Sequence, residues 1–466
     1  MTVQTMTAPP APAAAQDHEQ LLATFQQVAT RMPWYRTLLA ESGVSPEQVR
    51  SADDVIRRAP RLSKVNTFNR FSLRQLAATT PLTSLATVLT SSGHGGRFSF
   101  GLTTREMEAF SSAAIDDALD DAFAVRSRPT LAVNCLPMGV TFGSQCMTVA
   151  TTSVREDMAS ALIESFGPEY AQVLLVADPL FLKRLIDHTR QRGLDWRSHR
   201  VQVVVGEEVF GERFRTYVAR RLGLGIDRAD GTWLMSSMGV GELGLHLFYE
   251  TRATVALRRH AASRASFAQA LLGPTGDAHG TPMCFTFDAR RLFVEIVEPD
   301  ADGFGRLVVS LLDAELPIPL LRYETGDVAR LVDPHHVREL AAQHGLPLPG
   351  ALPDRLLLLR GRVREVLPNG SHVTVYKDAI YADHAVADVL TGAVRLTGDA
   401  ASLTLHVQLV PGVTRTTGIA AALRDALPAD ARPTAIEVWP YAAFPFGMTL
   451  DYERKFVSYS HERLLG

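Results

Sequence analysis

From Leu85 onward, short and almost wholly apolar runs alternate with amphipathic stretches, and this alternation constrains the fold more than any other feature. The runs are LATVLT, TLAVNCL, QVLLVAD and VQVVVG; helical patterns follow QVLLVAD near Pro179–Gly193 and VQVVVG, where Phe210, Phe214, Val218 and Leu222 recur on one face. Apolar strands alternating with helices predict α/β layers with largely parallel sheets. Around 283–333 the pattern changes to closely spaced strands, MCFTF, LFVEIVE, RLVVSLL and LLRYETGDVARLV, separated by Gly, Asp and Pro turns. A β-rich subdomain is expected there. The last hundred or so residues read as a smaller α+β unit with ASLTLHVQLV, a helix at TGIAAALRDAL and the strand TAIEVWP.

Length predicts two or more domains, because 466 residues exceed what one ordinary hydrophobic core supports. We expect a disordered Ala- and Pro-rich tail over 1–16, a large N-terminal domain over 17–360 that opens with a helical lead-in to about residue 80, a hinge over 361–364 and a small domain over 365–466. A net charge of −3 gives no electrostatic footprint for nucleic acid or an anionic membrane. The start of the chain lacks the basic and apolar segments of a secretory signal, and no apolar run approaches a membrane span. Cys135, Cys146 and Cys284 have no metal-ligand spacing, so a reducing, cytoplasmic setting is expected.

Five segments carry chemistry. Thr90–Arg97, TSSGHGGR, follows a predicted strand and is rich in glycine and hydroxyls, which lets backbone N–H groups approach an anion; a plain turn would look the same. In VVVGEEVF, a strand ends in Gly206-Glu207-Glu208, where a planar base can lie against the backbone or two acids can cap a helix. In SSMGVGELG, Glu242 stands among small residues and needs either a cation or a partner arginine. Asp327 of YETGD suits the two hydroxyls of a ribose, or simply a surface hairpin. Finally, Arg360, Gly361, Arg362 and Arg364 suit a hinge, an anion clamp or a solvated linker.

Taken in order, these segments resemble the motifs of the adenylate-forming superfamily: a TSSGTTG-like phosphate loop, a GGE- or GAE-like adenine loop, then YGxSE, YRTGD and GRxDD. The opening WYRTLLAESGV and the later SADDVIRRAPRLSK resemble the phenylacetate–CoA ligase branch in particular. The resemblance implies that Ser91, Ser92, Gly93, His94, Gly95 and Gly96 cradle ATP phosphates, and that Gly206, Glu207, Glu208, Met238 and Gly239 border the nucleotide. It further implies Mg²⁺ on Glu242, ribose on Asp327, a nucleotide contact from Arg362, a pivot at Arg364 and an adenylating lysine at Lys455. Glu242, Arg362 and Lys455 form the implied catalytic set. Pro137, Met138, Gly139, Phe142 and Met235 would line the acyl pocket.

The pattern also departs from the family. His94 and Gly95 replace two threonines, Met238 replaces the tyrosine that stacks on adenine, Gly241 replaces a hydroxyl, and Arg454 stands where glycine precedes the lysine. The implied activity is ATP-dependent activation of a small, aromatic carboxylic acid and transfer to CoA or to the phosphopantetheine of a carrier protein, by an enzyme that could act as a homodimer. Two alternatives remain open at this stage: a non-carboxylate substrate or non-thiol acceptor, and a non-catalytic relative.

Overall fold

The computed structural model describes residues 12–90, 98–137, 139–226, 231–273, 279–414, 416–446 and 457–460, with side chains from Gln16. Its architecture is mixed α/β, with four sheets among these residues.

The largest sheet has six strands, ordered Thr148–Thr151, Thr130–Asn134, Gln172–Ala177, Val201–Val205, Leu234–Val240 and Gly244–Tyr249. All neighbours are parallel except the last pair. Because strand side chains alternate between faces, consecutive residues feed different cores. Leu131, Val133, Val173, Leu175, Val203 and Val205 enter the main core. Ala132, Leu174, Val176 and Val204 enter a second one with Trp233 and Met235. Burial on both faces is why these strands read as continuous apolar runs rather than alternating ones. Helix Pro179–Arg192 is capped by Asp178, which accepts from the N–H groups of Leu180 (2.9 Å) and Phe181 (3.0 Å).

The run LATVLT departs from the parallel expectation. Leu85–Thr90 pairs antiparallel with Phe100–Thr104 in a separate two-stranded ribbon. The connection 91–99 is shorter than the dozen or so residues that a parallel crossover requires, and the strand is half-exposed rather than buried.

The β-rich region forms a five-stranded antiparallel sheet ordered Leu292–Val297, Gly305–Leu311, Tyr323–Val332, Leu356–Arg362 and Met283–Phe285. Its fourth strand is the arginine segment itself, with Arg362 opposite Asp327 and Gly361 opposite Val328. A mixed four-stranded sheet follows, ordered Ala435–Trp439, Thr404–Leu409, Leu390–Thr397 and Tyr459–Ser460, with helix Ile419–Ala426 beside it.

The lead-in is helical, as the sequence predicts. Its first helix, Pro12–Arg31, begins inside the segment expected to be a tail, because Pro12 suits a first helical position and Ala13–Ala15 favour helix. Residues 1–11 lie outside the described residues. The lead-in is tied to the body through Leu62: its N–H donates to the Arg322 carbonyl (2.9 Å) and its carbonyl accepts from the Glu324 N–H (2.9 Å). Ser63, Lys64 and Val65 are thereby placed next to Tyr323-Glu324-Thr325. No helix among the described residues is long and apolar enough to cross a membrane.

Candidate active site

A cavity of about 460 Å³ opens where the parallel sheet, the ribbon, the lead-in and the antiparallel sheet meet. One end is apolar, lined by Ile115, Leu119, Leu136, Val140 and Phe142. The other is polar, lined by Gly206-Glu207, Gly239 through Glu242, Glu324-Thr325-Gly326, Arg362 and Arg364. Four of the five segments identified in the sequence therefore converge on one space. The fifth begins at Thr90, which also lines the cavity. The phosphate-loop residues Ser91, Ser92, Gly93, His94, Gly95 and Gly96, together with Met138 and Lys455, lie outside the described residues.

Glu242 is held by the hydroxyl of Tyr323, which donates to Oε1, while its buried Oε2 has no hydrogen-bond partner. The hydrogen-bond partner that Glu242 has is thus a tyrosine rather than the arginine of the alternative reading. Burial, with the Glu242 carboxylate next, raises the Tyr323 hydroxyl pKa, so it stays a donor. A carboxylate with one oxygen anchored and one unsatisfied fits a divalent cation whose other ligands are waters and substrate phosphates. Among the described residues no group of three or more His, Cys, Asp and Glu side chains could hold a metal by itself, so phosphate oxygens would have to complete the set. Close approach of the ribbon to this loop depends on Gly101, where an added Cβ would lie 2.4 Å from the Gly241 carbonyl oxygen.

Asp327 is buried at 5% exposure inside a strand and not at a hairpin tip. Its N–H donates to Thr325 Oγ1 (3.2 Å), and Oδ1 lies 3.9 Å from Arg362 Nε. It does not itself line the cavity but follows directly on Gly326, which does. Arg362 and Arg364 both reach the cavity, and burial together with the neighbouring Arg362 lowers the Arg364 pKa. An anion bound there would relieve that strain. Glu207, also lining the cavity, has φ +70, an uncommon backbone region for a non-glycine residue and one associated with functional sites.

Several expected positions are corrected. Glu208 is not at the cavity; its Oε2 pairs with Lys377 Nζ at 2.7 Å, tying the strand end to helix Val373–Ala379. Met238 packs into the main core, because strand alternation sends Ser237 and Gly239 to the cavity and Met238 to the opposite face. Met235 lies in the second core, packed behind the wall. Of the expected acyl-pocket residues that are described, only Phe142 lines the space; Pro137 is buried outside it and Gly139 is exposed. The reason is local. Asn134 donates from Nδ2 to the Val140 carbonyl (2.8 Å) and accepts from the Leu136 N–H (3.2 Å), folding the loop so that Leu136 and Val140 form the wall.

Residues that sequence reasoning missed include Ser63, Lys64, Val65, Tyr323 and His246. Tyr323 opens the YETGD motif and was readable as a polar group beside Asp327. His246 has φ +55, stacks on Tyr249 (centroids 4.6 Å, planes 11°) and shares a 2.7 Å hydrogen bond between Nδ1 and Ser237 Oγ. Burial, then the charge of Arg291, pushes its pKa down to about 4.

A buried ion network fixes the strand that carries these groups. Glu250 accepts from Arg215 Nη2 at 2.8 and 2.9 Å and from the Ser236 N–H at 2.8 Å, while Arg215 also donates to the Leu234 carbonyl and to Glu212. Beyond the arginine segment, the chain docks on helix Glu212–Leu222. Asp378 accepts from the N–H groups of Arg213 (3.1 Å) and Phe214 (3.3 Å), and Asp388 accepts from Tyr217 Oη (2.9 Å) and from Arg221.

No family model matches the chain. A phenylacetate–coenzyme A ligase from Thermus thermophilus is 24% identical over 342 residues, covering 68% of this chain and 65% of that protein. The match thus spans less than two thirds of the relative's length. Among solved structures, 2-hydroxyisobutyryl-CoA ligase in the postadenylation state, in complex with 2-HIB-AMP, aligns with TM-score 0.65 at 14% identity, over 99% of this chain and 95% of that one. The same enzyme with 2-HIB-AMP and CoA in the thioesterification state aligns with TM-score 0.54 at 15% identity, over 99% and 95%. The chain has the fold of the adenylate-forming superfamily, and its sequence is similar to that superfamily's phenylacetate–CoA ligase branch.

Proposed function

We propose that this protein activates a small carboxylic acid with ATP as an acyl-adenylate and passes the acyl group to a thiol, that of CoA or of a carrier protein. The observation that supports this reading best is the convergence on one cavity of segments about 30 to 155 positions apart in sequence: Gly206-Glu207, Gly239 through Glu242, Glu324-Thr325-Gly326, and Arg362 with Arg364.

The chemistry follows from what the two ends of the cavity can hold. An acid with an apolar body fits the end walled by Leu136, Val140 and Phe142, and aromatic acids are the class we assign to it. Its carboxylate attacks the α-phosphorus of ATP, the bond to the β-phosphate breaks, and pyrophosphate leaves. A thiolate then attacks the acyl carbon and AMP departs. Both partners in the first step are anionic, so positioned cations lower its barrier.

Arg362 and Arg364 supply fixed positive charge at the cavity. Glu242 would hold Mg²⁺, whose chemistry is to neutralise phosphate charge, and Tyr323 orients that carboxylate. Asp327 would take the ribose hydroxyls, with Gly206 and Glu207 beside adenine; Lys455 and the loop Ser91–Gly96 would meet the phosphates. We assign a large domain over 17–360, a pivot over 361–364 and a small domain over 365–466.

The test is formation of pyrophosphate and AMP from ATP over a panel of acids, with and without CoA. Acid-dependent pyrophosphate release supports the reading. Pyrophosphate release that needs no acid favours the adenylyltransferase alternative, and absence of Mg·ATP binding by calorimetry favours a non-catalytic relative.

A further inference from the structure

Strand Val201–Val205 reaches the polar end of the cavity through a strained turn. The Glu208 N–H donates to the Gly206 carbonyl at 2.8 Å, closing a three-residue turn whose central residue, Glu207, has φ +70. This is the rare form of the γ-turn, and strain of its kind persists only where neighbouring structure over-determines it. Gly206 and Glu207 both line the cavity.

One anchor of the turn is the sheet itself, since the Gly206 N–H donates to the Ala177 carbonyl at 2.9 Å. Another comes from beyond the arginine segment. Lys377 Nζ, on helix Val373–Ala379, meets Glu208 Oε2 at 2.7 Å, with the two side chains only 22% and 29% exposed. Burial by itself would discharge the lysine, but Glu208, Glu365 and Asp178 outweigh it and raise its pKa, so it stands as a cation among carboxylates. Asp178 shows the converse, raised by burial and further by Glu208 and Glu207. Taking Lys377 away thus leaves like charge beside the turn, which favours its opening. The helix that carries Lys377 is placed by its neighbour Asp378, which accepts from the N–H groups of Arg213 and Phe214. That approach requires Gly211, where an added Cβ would overlap the Asp378 carboxylate.

We propose that Lys377 is a positioning residue for ATP: through Glu208 it holds the Gly206-Glu207-Glu208 turn in shape at the cavity, so nucleotide affinity depends on the docking of helix Val373–Ala379 against helix Glu212–Leu222. This rests on the acid-activating function proposed above, in which Gly206 and Glu207 lie beside adenine. Without Lys377 the turn relaxes, and ATP binds only the molecules in which it is formed; a formed fraction of about one tenth weakens the apparent affinity about tenfold. Bound nucleotide restores the turn, so the chemical step itself is unaltered.

The experiment measures Mg·ATP affinity by calorimetry, kcat and KM for ATP in acid-dependent pyrophosphate release, and chemical unfolding. It uses the full-length protein, Lys377→Met, Lys377→Arg, Glu208→Gln and the double variant Lys377→Met/Glu208→Gln. Lys377→Met should raise Kd and KM for ATP about tenfold and keep kcat within about threefold, while Lys377→Arg should hold all three within about threefold of the parent. The double variant should be no worse than the weaker single one, because both substitutions remove one interaction. A pair that only supports the fold would lower unfolding stability and leave ATP affinity alone. Affinity of Lys377→Met within about threefold of the parent, a fall in kcat in place of affinity, or no rescue by arginine overturns the proposal and leaves acid activation intact. Should Lys377→Met fail to fold, Glu208→Gln breaks the same pair and decides; failure of both to fold makes the pair structural and overturns the proposal. A parent that binds Mg·ATP but turns over no acid overturns the activation reading, and calorimetry then still decides the role of Lys377. A parent that binds no Mg·ATP overturns both.

Discussion

Replacing Glu242 by alanine should separate a functional carboxylate from a structural one, because the two roles predict different stabilities. In the parent, Tyr323 donates to Oε1 while the buried Oε2 is unpartnered. Truncation loses a hydrogen bond to a charged group, about 1.5–3 kcal/mol, and relieves a buried unsatisfied oxygen, about 1–3 kcal/mol. These terms nearly offset, so Glu242→Ala should unfold within about 2 kcal/mol of the parent. Combining Glu242→Ala with Tyr323→Phe also removes the hydroxyl that the single substitution leaves without its acceptor, and stability should return to that of the parent or exceed it. Catalysis should behave otherwise. Loss of one preorganised electrostatic contact costs about 2.7–4 kcal/mol in the transition state, or a hundred- to thousandfold in rate. The assays are pyrophosphate release under saturating acid and chemical unfolding of the same preparations. Activity retained within tenfold in Glu242→Ala, or lost only alongside more than about 3 kcal/mol of stability, would refute the reasoning.

Three further outcomes follow from named contacts. Asp327→Ala should weaken Mg·ATP binding at least tenfold by calorimetry, since a carboxylate at a ribose makes charge-assisted hydrogen bonds of about 1.5–3 kcal/mol each; unchanged binding would remove that assignment. Glu250→Gln breaks a fully buried pair with Arg215 and should cost about 3–5 kcal/mol in chemical unfolding, whereas a loss below about 1 kcal/mol would show that the network is dispensable. Asp178 has its pKa raised to about 7 by burial, with Glu208 and Glu207 adding like charge against the backbone N–H groups that favour ionisation. A raised carboxyl contributes its stability fully below its unfolded pKa and loses it as pH rises through about 7. Asp178→Asn, which keeps the helix cap, should therefore match the parent near pH 4 and exceed it at pH 8 by up to about 4 kcal/mol. Equal stability of the two proteins at pH 8 would contradict this.

Periodicity made most of the fold legible, because strands buried on both faces, such as Val201–Val205, leave no other pattern open to them. It misplaced LATVLT, whose short apolar run is shared by core strands and exposed ribbons; the brevity of the following connection was the readable signal. Motif order brought most of the polar end of the cavity into view, since Glu207, Glu242, Thr325 and Arg362 sit at or near strand ends whose position the fold dictates. It failed where side-chain direction decides. Met238 and Ser237 are neighbours in sequence, yet the pleat sends only Ser237 to the cavity. It failed again at Leu136 and Val140, which a side-chain bond from Asn134 turns inward, and at Glu208, which a lysine far along the chain engages. Contacts of that kind depend on long-range packing and leave no local trace.

The central claim is that the oxygen of a carboxylate attacks the α-phosphorus of ATP, and oxygen labelling tests it most directly. The acid is supplied with ¹⁸O in both carboxyl oxygens, together with Mg·ATP and CoA, and the products are weighed by mass spectrometry. Attack at the α-phosphorus makes a carboxyl oxygen the bridge to AMP, and thiol attack on the acyl carbon leaves that oxygen behind. The account predicts AMP carrying one ¹⁸O, unlabelled pyrophosphate and an acyl-thioester retaining the other label. Label appearing in inorganic phosphate, or AMP formed without label, would contradict it.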